Sequence, residues 1–83
     1  MSYQETTSTH LRDILNNGVV RFQFRKRDGS IRNALGTRNV DLIPKDEYVK
    51  HVDDINEKKS VVFWDLEARD FRSLMTGVEV AVM

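Results

Sequence analysis

Apolar and polar residues alternate most clearly from Val19 to Arg27. Val20, Phe22 and Phe24 point one way there, and Val19, Arg21, Gln23, Arg25 and Arg27 point the other. A period of two over this length is the mark of a half-buried strand. Asp28-Gly29 follows, a strong signal for a two-residue hairpin turn, because a type I′ turn needs positive φ at both central positions. Counting outward from such a turn sets Arg25 opposite Arg32, Phe24 opposite Asn33 and Phe22 opposite Leu35. That register collects Phe22, Phe24, Ile31 and Leu35 on a core face, with Lys26 near its open end. Arg21, Gln23, Arg25, Arg27 and Arg32 gather on the other face.

Upstream, His10, Leu11, Ile14 and Leu15 recur at helical spacing. This predicts a short N-terminal helix within residues 6–17, capped by Thr7, Ser8 or Thr9 and stopped by a left-handed Gly18. Downstream, Gly36-Thr37 permits a bend, and Val40–Ile43 is a short apolar run halted by Pro44. Residues 45–59 read two ways. Tyr48, Val49, Val52 and Ile55 fit helical spacing behind Pro44, and the same stretch also fits a long acidic loop. Ser60–Leu66 predicts a strand apolar on both faces, Asp70–Met75 its return partner, and Val78–Val82 a last short strand with Gly77 before it. A helix followed by five short strands bent at glycines predicts a mainly β fold. A small closed barrel is the expected form, since closure removes exposed strand edges.

A chain of 83 residues makes one domain, 1–83. So short a domain buries only about 60–65% of the surface its unfolded chain exposes. No cysteine is present to staple it, and no apolar run reaches the roughly 18 residues of a membrane span. The polar first residues lack signal-peptide character, which makes a soluble cytoplasmic protein the expectation. Charge changes this picture. Thirteen basic and thirteen acidic residues cancel, yet they are segregated along the chain. Arg21, Arg25, Lys26, Arg27, Arg32 and Arg38 face only Asp28 between Val19 and Val40, while six acids face only Lys45 and Lys50 between Asp41 and Glu57. Adjacent segments of opposite sign point to interaction surfaces.

Val20-Arg21-Phe22-Gln23-Phe24, Lys26, Asp28-Gly29, Arg32, Ala34, Gly36-Thr37, Asn39 and Asp41-Leu42-Ile43-Pro44 resemble a family of small proteins found mainly in tailed phages. Its fold is an Sm-like, SH3-like β-barrel related to the WYL domain. The second half is similar too. Trp64-Asp65-Leu66 and Phe71-Arg72-Ser73-Leu74 stand where WYL domains carry Trp-Tyr-Leu and an Arg-containing Phe-Arg-Leu strand, with Asp65 replacing the central tyrosine. The resemblance covers Val19–Leu74 apart from residues 45–59. It implies an N-terminal helix, a five-stranded barrel, no catalysis and a phage accessory role. WYL-type and Sm-type barrels often bind nucleic acid or regulatory partners.

The candidate nucleic-acid surface is Arg21, Arg25, Arg27, Arg32 and Arg38, with Trp64 and Arg72 as a second group. Arginines facing one another across a strand pair destabilise the sheet, a cost that a bound anion offsets. A solvated hairpin whose charges deter aggregation gives the same pattern, as does neutralisation by the acidic segment. Trp64 serves either as core or as an outward platform beside Arg72. Asp46, Glu47, Asp53 and Asp54 form a candidate protein-docking element, as in an inhibitor or modulator of a host protein. The valine-rich last strand is a candidate edge for homo-oligomers. His51, Asp53, Asp54 and Glu57 lack the spacing of a metal site, and His10, Ser8 and Asp13 share one helix turn rather than forming a triad. No phosphate-binding glycine loop is present. The expected function is non-enzymatic binding without cofactor or metal.

Overall fold

The structure is a computed structural model that describes residues 4–26 and 28–83. Six strands form one antiparallel sheet: β1 (Gln4–Thr7), β2 (Val19–Arg25), β3 (Ile31–Thr37), β4 (Ser60–Asp65), β5 (Asp70–Met75) and β6 (Glu79–Val82). Helix α1 (Ser8–Asn17) lies between β1 and β2, while α2 (Lys45–Lys50) and α3 (Val52–Ile55) lie between β3 and β4. The strand order is β1-β6-β2-β3-β4-β5.

Two expectations about the sheet change. Residues 4–7 form a further strand, paired to β6 from Gln4↔Val82 to Thr7↔Glu79. The sheet is also open: β1 and β5 are its two ends rather than partners. The last strand is consequently no free edge, because β6 pairs with β1 on one side and with Phe22, Gln23 and Phe24 of β2 on the other. A second copy has no backbone left to pair with there.

Helix α1 begins after Thr7, whose backbone is extended and whose Oγ1 accepts the His10 N–H at 3.2 Å. Leu11 and Leu15 are fully buried from its inner stripe. They meet Phe22, Ala34, Val61, Phe63, Leu74 and Val80 in the core, where the Phe22 and Phe63 rings cross edge to face at 5.1 Å. Gly18 ends the helix in extended backbone, φ 169°, and not in the left-handed form. The Gly18 N–H donates to the Leu15 carbonyl, and further closing groups come from the end of β3 and the residue after it. The Arg38 N–H and the buried Thr37 hydroxyl both donate to the Leu15 carbonyl, and the same hydroxyl reaches the Gly18 carbonyl at 2.8 Å. At Gly36 the β3 backbone touches the Phe63 ring, and a Cβ there would stand 2.5 Å from Phe63 Cδ2.

The hairpin register is one residue off the expected one. Phe24 pairs with Arg32, Phe22 with Ala34 and Arg25 with Ile31. The Lys26 N–H donates to the Ser30 carbonyl at 2.8 Å, so Lys26 and Ser30 close the ladder with three residues between them. Gly29, at φ 90°, donates back to the Lys26 carbonyl. The Asp28 carboxylate accepts both the N–H and the hydroxyl of Ser30, at 2.9 and 2.6 Å. A three-residue loop with glycine in the positive-φ position suits this sequence as well as a two-residue turn does, and the carboxylate contacts favour it.

Candidate functional site

A one-residue slip moves side chains to the opposite face, and here it redistributes the arginines. Ile31 is half exposed on the outer face with Arg21, Gln23 and Arg25. Arg32 turns to the Phe24 side instead. The expected gathering of Arg21, Arg25, Arg27 and Arg32 on one face is therefore not what forms. Arg21 lies 3.7 Å from Glu67 on the outer face, and Arg27 falls outside the described residues.

Arg38 is taken by the fold. Its Nε donates to Asn16 Oδ1 at 3.0 Å, Nη2 to the Ile55 carbonyl at 3.0 Å and Nη1 to the Val62 carbonyl. Arg12, which no sequence pattern singled out, donates from Nη2 to the carbonyls of Glu57 and Ser60. Strand β3 pairs with β4 only at Gly36↔Asp65 and Thr37↔Trp64. The two guanidinium groups thus satisfy carbonyls along the part of β4 that β3 does not reach, and they fasten the helical insert to it. Burial first, then the Arg12 charge, draws the Arg38 pKa below its ordinary value, and a guanidinium remains a cation regardless.

Trp64 is core, 6% exposed, with its ring 5.0 Å from Phe71. It pairs with Phe71 while Phe63 pairs with Arg72, which puts Trp64 and Arg72 on opposite sides of the β4–β5 ribbon. The platform of a tryptophan beside an arginine does not form. Residues 45–59 settle as two short helices, with Ile55 buried and α3 packed against β4. Asp46, Asp53 and Asp54 are exposed on them, and Glu47 lies 3.7 Å from Lys50. Between α3 and β5 runs a hollow of about 540 Å³. His51 and Phe71 line it with rings 4.8 Å apart, beside Asp54 and Glu57. Among the described residues no group of three His, Cys, Asp or Glu side chains is placed to hold a metal ion, and no helix is long and apolar enough to cross a membrane.

The cations that do converge lie where the sheet fails to close. A cleft of about 330 Å³ opens between the far end of the β2–β3 hairpin and β5. Phe24, Leu74, Met75 and Val78 supply its apolar lining; Arg25, Lys26, Arg32 and Arg72 supply its charge, and no carboxylate lines it. Arg25 is braced by its bond to the Gly29 carbonyl at 2.8 Å. Arg32 stands 3.7 Å from Asp65. That carboxylate is 3% exposed, and its Oδ1 accepts the N–H groups of Glu67 and Ala68 at 2.9 Å each. The aspartate at the centre of Trp64-Asp65-Leu66 therefore caps the β4–β5 turn and steadies a cleft arginine at once. Three of the seven sequence candidates, Arg25, Arg32 and Arg72, meet here. Lys26 joins them, although its alternation had placed it at the open end of a core face. Its role depends on tertiary closure, for which no local signal exists.

A bent antiparallel sheet of short strands with one helix before its second strand, open at one seam, has the architecture of a small SH3-like β-barrel. The family model WYL_2, described as an Sm-like SH3 beta-barrel fold, matches residues 8–76, and the chain belongs to that family. The matched span runs through residues 45–59, which carry none of the residue resemblance, and stops short of β6. No curated protein and no solved structure matches the chain.

Proposed function

We propose that the protein is a non-enzymatic nucleic-acid-binding module, RNA or DNA, that seats its ligand in the cleft between the β2–β3 hairpin and β5. The observation that carries the reading is the composition of this cleft: four cations and no carboxylate around an apolar floor. Guanidinium groups on the rim suit phosphate oxygens. Phe24 and Leu74 give a base face somewhere to leave water. Overall neutrality limits long-range attraction, so the affinity expected is modest and local. The resemblance to small tailed-phage proteins supports an accessory role during infection, in the cytoplasm of the host.

Titration of labelled single-stranded and duplex oligonucleotides by fluorescence anisotropy tests this. Arg25→Glu with Arg72→Glu should abolish binding. Arg21→Glu, on the outer face, should leave it within about twofold of the parent, as expected for a rim charge away from the contact. Equal losses from both variants would remove the cleft from the account.

A further inference from the structure

The hollow between α3 and β5 is larger than the cleft, about 540 Å³ against about 330 Å³, and the two are not isolated from one another. Arg72 and Ser73 line both, so one continuous surface crosses β5 from the cations at the hairpin end to α3. Its two ends differ in chemistry. No carboxylate lines the cleft, whereas Asp54 and Glu57 line the hollow. Both acids are exposed, and among the described residues neither forms an ion pair with Arg72 or another cation. Oε1 of Glu57 accepts the Lys59 N–H at 3.1 Å, which restrains that side chain. An aromatic wall stands beside the acids. His51 donates from Nδ1 to the Glu47 carbonyl at 3.1 Å, and its ring lies 4.8 Å from that of Phe71.

A strand seated on the cleft cations and crossing Arg72 meets carboxylates beyond it. Carboxylates repel phosphate and accept hydrogen bonds from N–H groups, so the part of the ligand that suits the hollow is a base and not the backbone. The bases differ in what they offer there. Guanine presents N1–H and its 2-amino group side by side on the Watson–Crick edge, a pair of donors that a carboxylate accepts as a fork. Adenine and cytosine present an amino group beside an acceptor nitrogen, and uracil an N–H between two carbonyls. The His51 and Phe71 rings supply a face on which a base stacks.

We propose that the hollow between α3 and β5 reads a guanine base of the single strand whose phosphates the adjoining cleft holds, with Asp54 and Glu57 accepting its donors. The inference rests on the nucleic-acid reading of the cleft and adds to it a base preference. It also excludes duplexes from the hollow, since a paired guanine has its Watson–Crick edge occupied.

Fluorescence anisotropy on the full chain tests it with single strands of thymidine, and the same set in uridine, that carry one central guanine, hypoxanthine, adenine or cytosine. The guanine strand should bind about tenfold more tightly than the unsubstituted one. Hypoxanthine, which keeps N1–H and lacks the 2-amino group, should fall between guanine and adenine. Asp54→Ala/Glu57→Ala should bring the whole series within about twofold without weakening the unsubstituted strand, because two repulsive charges leave together with the acceptors. Arg25→Gln should weaken every strand by a common factor and keep their order. Should the alanine variant melt early by circular dichroism, Asp54→Asn/Glu57→Gln takes its place, with the same levelling expected. A parent that binds all the strands equally overturns the base preference and leaves the cleft standing, and so does a guanine preference that survives the loss of both carboxylates. A parent that binds no strand overturns the reading of the cleft and this inference together.

Discussion

Replacing Arg38 with alanine removes the guanidinium that joins three elements. Its three hydrogen bonds go to Asn16 at the end of α1, to Ile55 of α3 and to Val62 of β4. Hydrogen bonds from a charged donor contribute about 1.5–3 kcal/mol each when fully sheltered. Arg38 is only half-buried, so water takes over part of what is lost, and a net cost of about 2–4 kcal/mol follows. For a domain of this size each kcal/mol moves Tm by about 4–8 °C, which places the expected drop at about 10–25 °C. Arg38→Lys keeps the charge but cannot span three acceptors in a planar fork, and it should recover less than half of the loss. Thermal melting followed by circular dichroism gives the magnitude. Hydrogen exchange supplies the location: the amides of α3 should lose protection before those of β2. A melting point within about 2 °C of the parent, equivalent to less than about 0.5 kcal/mol, would refute the clamp and return Arg38 to the list of surface cations.

Gly36→Ala should cost about 1–3 kcal/mol in a urea titration, because its new methyl would stand 2.5 Å from the fully buried Phe63 ring, so that ring or backbone must shift. An unchanged midpoint would mean that the β3–β4 contact is looser than described. The Ser30 hydroxyl, then its N–H, hold the Asp28 carboxyl below its ordinary pKa. A depressed folded-state pKa stabilises the loop above the unfolded value and loses that effect as pH falls through the folded one. The Ser30 amide resonance should accordingly titrate below the ordinary aspartate range, and Asp28→Asn should abolish that titration. A midpoint at or above the ordinary value would contradict the three-residue loop.

Strands with strong local patterning were legible in the chain. Val61–Trp64 and Phe71–Leu74 fall in β4 and β5, the β2–β3 hairpin exists where alternation requires it, and α1 carries the expected Leu11 and Leu15 stripe. What misled was turn chemistry. Asp28-Gly29 fits two loop lengths, and the choice rests on a carboxylate reaching Ser30, a contact that binary patterning does not encode. The consequence reached the site, since one residue of slip carries Arg32 from the outer face to the cleft. Strand β1 has no apolar alternation because it pairs by backbone at an end of the sheet, with most of its side chains in water. Arg38 reads as a candidate nucleic-acid contact and Arg12 draws no reading at all, because their partners are carbonyls from distant parts of the chain, which have no sequence signature.

The central claim, that the seam between the hairpin and β5 holds polyanions, is tested most directly by the salt dependence of oligonucleotide affinity. Four phosphate contacts on a single strand predict a slope of log Kobs against log salt near −2.8, at about −0.7 per contact. Arg25→Gln with Arg72→Gln should bring the slope to about −1.4 while leaving the fold intact. A slope that these substitutions do not change would contradict the account, because the cations releasing counterions would then lie outside the cleft.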